Sequence, residues 1–135
     1  MDVLVLVGRL LFALVFLEAS LSHITQTASL AGYARSRDVR SATRLTLLSG
    51  VGILAGGLSV ALGIWADLGA LILFVFLLAT SVGIHSFWKD EGQARLQVRM
   101  QFQKDLALAG AALAMFGLIQ IAGDDLGLTL TGPLF

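Results

Sequence analysis

The side chains that could carry acid–base or ligand chemistry in this chain lie near the ends of two long apolar runs. One run contains Glu18 and ends at His23, and another ends at His85. An ionisable side chain within an apolar helix is costly unless it faces the interior of a bundle or a partner, so we expect Glu18 to point inward. Hydroxyl groups fall at matching depths on neighbouring helices. The predicted polar pocket therefore consists of Glu18, Ser22, His23, Ser49, Thr80, Ser81 and His85.

These residue types leave several kinds of chemistry open. Glu18 could be a protonated acid bonded to a hydroxyl, a carrier of protons, or a contact to another subunit. His23 and His85 could be solvated at the membrane interface, could cap helix ends, or could hydrogen-bond a quinone. Paired axial ligation of a haem is disfavoured, because helix ends at one interface leave little room for it. The chain has no cysteine, which excludes thiol–disulfide exchange and Cys-ligated clusters, and we expect no metal site.

Long apolar helices must position these side chains. Of the 135 residues, 57% are hydrophobic and 13% are charged, a balance typical of a membrane protein. Four segments, residues 3–23, 45–64, 68–85 and 106–122, are apolar around their whole circumference. At about 1.5 Å per residue, each can cross or nearly cross a hydrocarbon layer of roughly 30 Å. The sequence therefore predicts one all-α domain over residues 1–135, a bundle of four transmembrane helices.

The charges predict how these helices are oriented. Of the nine lysines and arginines, all but Arg9 fall in the connections between spans one and two and between spans three and four. The positive-inside rule places both connections in the cytoplasm and both termini outside it. We expect Arg9 to reach the outer interface with its long side chain.

Amphipathic segments are expected at the cytoplasmic interface, in both basic connections. The first is short, and the second runs from Gly92 to Lys104 along the surface into span four. The aromatic pair at the end of span three is typical of an interfacial anchor. The predicted interfacial and partner-docking residues are Phe87, Trp88, Lys89, Arg95, Arg99 and Lys104.

Small residues recur at spacings of three and four in two spans. Such ridges let another helix backbone approach closely, so they predict the faces on which the helices pack. The ridge of span two consists of Ser49, Gly52, Gly56, Ser59 and Gly63, and that of span four consists of Ala107, Gly110, Ala114 and Gly117.

Several of these stretches together resemble the DoxX family of small bacterial membrane proteins. They are VGRLLFALVFLEASLSH in span one, the Gly56–Gly57 pair, HSFW from His85, and the entry into span four from Phe102 to Leu106. The resemblance covers most of the chain. It implies a four-helix bundle in the bacterial plasma (inner) membrane and an association with membrane redox systems. One relative resembles a quinone-oxidoreductase subunit, and another a scaffold between a superoxide-detoxifying enzyme and a thiol-oxidation partner.

Two functions from different classes follow. The first is a non-catalytic accessory or scaffold subunit of a membrane redox or oxidative-stress system, whose basic faces and SFWK stretch dock a protein partner or anionic lipid. The second is a subunit that binds quinone or another hydrophobic cofactor, with His85 or His23 on a carbonyl oxygen and Glu18 as a proton relay. A transporter is disfavoured by the small number of spans. We expect no catalysis by the chain alone and no nucleic-acid partner, and a homo-oligomer stays open.

Overall fold

The computed structural model describes all 135 residues, and it is helical with no strand. The helices are α1 (Asp2–Thr25), α2 (Thr27–Ser36), α3 (Ala42–Leu62), α4 (Ala66–Gly83) and α5 (Gly92–Ala122). Short 3₁₀ turns at Phe87–Lys89 and Gly123–Asp125 lie on either side of α5. The helices α1, α3, α4 and α5 are long and apolar enough to cross a membrane, which confirms the predicted fold class.

The helix boundaries differ from the predicted ones by at most three residues, except at the start of α5. Helix α3 begins at Ala42, three residues before the predicted start of span two. The segment from Gly92 to Lys104 is not a separate surface helix, because it forms the first turns of the 31-residue α5. At about 1.5 Å per residue, α5 is roughly 46 Å long and exceeds the hydrocarbon layer by several turns. Its first turns therefore extend beyond the apolar part of the bundle.

The long helices pack in the order α1, α3, α4, α5, and no pair of Cα atoms within 8 Å joins α1 to α5. Phe12 and Phe16 of α1 meet Ile53 of α3 and Leu73 of α4 in the main core, and Ala109 of α5 belongs to the same cluster. Most of the other large apolar side chains are exposed. An apolar exterior around a small core is compatible with lipid as the solvent of this surface.

Glycines of α3 allow the neighbouring helices to approach closely. A Cβ atom at Gly56 would lie 3.0 Å from Leu73 of α4, and one at Gly57 would lie 3.2 Å from Leu17 of α1. Ser59 packs against Gly69 of α4. Gly52, in contrast, has open space around it. The close contacts of α3 therefore include only part of the predicted ridge.

The prediction that the small-residue ridge of span four packs against another helix of the bundle is wrong. Ala107, Gly110 and Ala114 are exposed, and Gly117 has no atom near its missing Cβ. Ala109 and Ala112 face the core in their place. Both faces of α5 are rich in small residues, so the spacing alone could not distinguish them.

The two basic connections lie side by side at one end of the bundle. Arg37, after α2, forms an ion pair of 2.8 Å with Asp90, before α5. Lys89 lies 3.6 Å from Asp38 in a second pair. The hydrogen bond to Asp90 raises the pKa of the Arg37 guanidinium above its ordinary value. We call this the basic end, and we call the opposite one, which holds both chain termini and the α3–α4 turn, the acidic end.

Arg9 does not reach toward an interface as predicted, because its side chain is buried, with 1% of its surface exposed. Its Nε donates to the carbonyl of Val60 at 2.9 Å and its Nη2 to that of Ala61 at 3.1 Å. Its Nη1 donates to the carbonyl of Leu128 at 3.1 Å. The last carbonyls of a helix have no partner within the helix and carry its negative dipole end, so a cation is stabilised there. Arg9 thus joins α1, α3 and the C-terminal segment.

The C-terminal segment folds back over the acidic end. The amides of Leu130 and Thr131 donate to the carbonyl of Gly63, whose φ of +67° favours glycine. The amides of Leu134 and Phe135 donate to Oδ2 of buried Asp67 at 2.8 and 3.0 Å. The acidic end is therefore closed by backbone groups that buried side chains hold in place.

We expect the substitution Arg9→Met to lower the stability of the bundle markedly. Methionine fills similar space but leaves three carbonyl groups without donors, and a buried unsatisfied group costs about 1–3 kcal/mol. Thermal unfolding in detergent, followed by tryptophan fluorescence, measures the change. Arg99→Met, at an exposed arginine with no hydrogen bond to the protein, is the matched control. Equal unfolding temperatures for the two variants would contradict the role of Arg9.

Candidate functional site

A half-open cavity of about 370 Å³ lies at the basic end and is lined by residues of α1, α2, α3 and α4 and of the connections after α2 and α4. Its walls are mostly apolar and include Phe76 and Ile84. Four of the predicted pocket residues also line it: His23, Ser49, Thr80 and His85. Each comes from near the basic end of a transmembrane helix, which explains why residues far apart in sequence meet there. The result is a small, mostly apolar cavity with a few polar groups in its lining.

His23 is oriented by neutral oxygen atoms of α3. Its Nδ1 lies 2.9 Å from Oγ of Ser49 and 3.1 Å from the carbonyl oxygen of Thr46. The hydroxyl of Ser49 donates to that same carbonyl at 2.9 Å, and a carbonyl can only accept. The Nδ1 of His23 therefore carries the proton in this arrangement, which leaves Nε2 free. Phe76 packs edge-on against the ring, with centroids 6.1 Å apart.

His85 is oriented by a carboxylate instead. Its Nδ1 lies 2.6 Å from Oδ2 of Asp105, near the middle of α5. The Asp105 side chain is 7% exposed and that of His85 is 19% exposed, so the pair is largely shielded. A carboxylate that accepts from Nδ1–H fixes the tautomer of the ring and stabilises it when it is protonated. Nε2 is again the nitrogen left for a ligand.

The two histidines therefore differ in their anchors. The Nδ1 of His85 faces a carboxylate, whereas that of His23 faces only neutral oxygen atoms. One cavity thus holds two imidazole rings with different surroundings between apolar walls. No group of three or more His, Asp or Glu side chains could hold a metal ion.

Three members of the predicted pocket do not line the cavity. Glu18 is exposed on the outer surface of α1, so the expectation that it points inward is wrong. The core face of α1 is formed by Phe12, Ala13, Phe16 and Ser20, and Glu18 lies away from it. Ser22 is half-buried, and the hydroxyl of Ser81 donates within α4 to the carbonyl of Leu77 at 2.9 Å. The stripe of α1 that contains Glu18 is therefore an outer face.

Sequence reasoning missed the most informative contact, between His85 and Asp105. The available signal was an aspartate directly before the predicted span four, one turn before Ala109 of the core. Twenty residues and a helix boundary separate the two side chains, so no helical spacing relates them. Thr46 and Phe76 were also missed, since a carbonyl oxygen and an aromatic ring in an apolar run carry no sequence signal.

The predicted interfacial residues form an aromatic cluster with basic neighbours. The rings of Phe87, Trp88 and Phe102 have centroids 5.3 to 5.9 Å apart. The guanidinium of Arg95 lies 5.8 Å from the centre of the Phe87 ring. Lys104 donates to Gln101 within α5, and Arg99 is exposed. The cluster fixes the end of α4 against the middle of α5, next to the His85–Asp105 pair.

Comparison with known proteins gives a family. Neither a curated protein nor a solved structure matches the chain. The family model described as DoxX matches residues 4–86, which include nearly all of α1, the whole of α2 to α4 and both cavity histidines. This match covers more than half of the chain, and together with the four apolar helices it defines a multi-pass membrane protein. The chain therefore belongs to the DoxX family.

Proposed function

We propose that this protein is the quinone-binding membrane subunit of a redox system. The observation that carries the proposal is the cavity at the basic end, where two histidines anchored through Nδ1 meet apolar walls. Ligand sites of this kind are mostly apolar with a few placed polar groups. A quinone has the matching chemistry, with a flat apolar ring that carries two carbonyl oxygens.

The size and composition of the cavity fit such a ring. Its volume of about 370 Å³ lies in the range of small-molecule sites. Phe76 offers an aromatic surface, and the hydroxyl of Thr80 adds a polar group. The cavity lies between membrane-spanning helices, so a compound dissolved in the bilayer is close to it. These features support a hydrophobic ligand rather than a soluble metabolite.

The roles of the residues follow from their partners. A bound quinone supplies reversible uptake of electrons and protons. His85 holds a proton on Nε2 and donates it as a hydrogen bond to a carbonyl oxygen, while Asp105 balances the charge. His23 orients the ligand as the second polar contact. Glu18 lies outside the cavity, so the His85–Asp105 pair takes the proton-carrying role that the sequence suggested for Glu18.

This role does not require catalysis by the chain alone. The one hydroxyl beside a histidine, that of Ser49, donates to the carbonyl of Thr46, and Nδ1 of His23 carries a proton, so this pair is not arranged as a nucleophile and its base. Electrons would come from a partner enzyme, as the association of the family with redox systems suggests. The protein would then act as an accessory subunit that presents quinone to that partner.

We expect His85→Ala to weaken quinone binding by about tenfold or more, because a hydrogen bond to a charged group contributes about 1.5–3 kcal/mol. The purified protein is titrated with ubiquinone-1, and the quenching of tryptophan fluorescence gives the affinity. Asp105→Asn, which retains an acceptor but removes the charge, should give a smaller loss in the same direction. Solvent extraction of the protein from native membranes should yield stoichiometric quinone for the wild type and less for His85→Ala.

Ser22→Ala is the matched control, since Ser22 is near His23 in sequence but does not line the cavity. Its affinity should equal that of the wild type. Unchanged affinity in both His85→Ala and Asp105→Asn would remove the pair from the site. Absence of any quinone binding by the wild-type protein would overturn the proposed function.

A scaffold function is the second candidate, and the outward position of Glu18 favours it. A carboxyl group on an apolar helix surface is costly in lipid and gains from a polar partner on another membrane helix. The exposed small residues of α5, among them Ala107 and Gly110, also suit close approach of a second helix. Both faces support association with another membrane protein or with a second copy.

If Glu18 mediates such an association, Glu18→Leu should release the associated chain during purification in mild detergent. Leucine is compatible with lipid and leaves the fold intact, so the partner loses a polar contact without disruption of the bundle. Glu91→Leu, at an exposed acid outside the apolar part of the bundle, is the control. The stoichiometry of the complex is measured by light scattering or by native mass spectrometry. Equal complexes in both variants, or a wild-type protein that purifies alone, would exclude this role for Glu18.

The orientation of the protein is part of the proposal. The basic end carries eight of the nine lysines and arginines, so we place it in the cytoplasm of a bacterial cell and both termini outside. The chain has no cysteine, which allows single-cysteine labelling without a background. Gln97→Cys should react with an impermeant maleimide only after lysis, and Asp125→Cys should react in intact cells with a permeable outer envelope. The reverse pattern would invert the orientation, and labelling of both from one side would contradict the topology.

A further inference from the structure

Three arginines at the basic end surround an open depression of about 720 Å³. Arg35 lies in the last turn of α2, Arg40 lies in the connection, and Arg44 is in the first turn of α3. The Nη1 of Arg35 donates to the hydroxyl of Thr43 at 3.2 Å, which holds the guanidinium toward the depression. The lining contains no carboxylate.

The nearby carboxylates are engaged elsewhere. Asp90 pairs with Arg37, Asp38 pairs with Lys89, and Asp105 pairs with His85. Arg35, Arg40 and Arg44 have no ion-pair partner within the protein. Like charges in one depression repel one another, and an anion between them removes that cost. The depression thus gathers three cations that have no acidic partner within the protein.

An apolar stripe leads from this site along the outside of α3. Leu48 lies one turn beyond Arg44 on the same face and is 67% exposed. Val51 is 61% exposed and continues the stripe, followed by Ala55 and Leu58. A cationic head above an exposed apolar track complements the architecture of a phospholipid, with an anionic headgroup and acyl chains. A soluble anion would contact the arginines but would leave the apolar stripe on α3 unoccupied.

We propose that Arg35, Arg40 and Arg44 form a binding site for the phosphate headgroup of an anionic phospholipid, whose acyl chain lies along Leu48 and Val51. A guanidinium group binds two phosphate oxygens at once, whereas a lysine ammonium acts as a point charge. Three arginines therefore suit the binding of a phosphate group better than three lysines would. The depression lies where α3 enters the apolar part of the bundle, the level at which headgroups are found. This site adjoins the histidine cavity at Val39 and Ala42, but its three arginines do not line that cavity, and the proposal does not depend on the quinone function.

The test uses the full chain in a neutral detergent with dioleoyl phosphatidylglycerol as the anionic lipid. Native mass spectrometry counts the bound lipid, and thermal unfolding measures the stabilisation. The variant Arg35→Gln, Arg40→Gln, Arg44→Gln should weaken binding by about tenfold or more, because several charge-assisted hydrogen bonds are lost. Its three side chains are exposed, so we expect it to fold, and Arg44→Gln alone provides a milder variant.

The control variant Arg95→Gln, Arg99→Gln, Lys104→Gln removes the same number of charges at the same end, on α5. It should retain the binding of phosphatidylglycerol. An equal loss in both triple variants would overturn the site, since diffuse charge would then suffice. Equal binding of dioleoyl phosphatidylcholine would overturn the selectivity for an anionic lipid. The same stabilisation by inorganic phosphate at equal concentration would overturn the lipid as the source of the phosphate.

Discussion

A polar group inside hydrocarbon must find its partner within the protein, and this constraint organises the whole chain. Arg9 satisfies the last carbonyls of α3 and one of the C-terminal segment. Asp67 receives amides from the same segment at the same end. These two buried charges therefore contact backbone groups rather than an opposite charge. These contacts join the C-terminal segment to the acidic end of the bundle.

The basic end satisfies the same constraint in a different way. His23 and His85 are each anchored through one ring nitrogen, so each retains a second nitrogen for another molecule. Their anchors differ in charge, and the two rings become chemically distinct although they line one cavity. A ligand site needs polar groups that can still form a hydrogen bond, and these groups lie between apolar walls. The contrast between the two ends explains why we place function at the basic end.

Glu18 is the side chain that the fold leaves outside this scheme. It lies on an outer apolar face, where neither the core nor the cavity offers it a partner. The basic depression near Arg44 is similarly incomplete without an anion. Both features need a partner from outside the chain, and the partners available to a membrane protein are lipids and other membrane helices. The quinone, lipid and scaffold proposals therefore concern different surfaces and can be tested independently.

The sequence by itself determined the number of membrane helices and which connections share an end, because hydropathy and charge are local properties of each segment. It did not determine which face of each helix is inside. A helix that is apolar all round carries no amphipathic signal, so Glu18 and the small residues of α5 were assigned to the wrong side. The partners of Arg9 and His85 lie 51 and 20 residues away, and only the packing of helices brought them together. Tertiary structure decided the site, because a polar group in an apolar bundle is placed by the partner that it finds there.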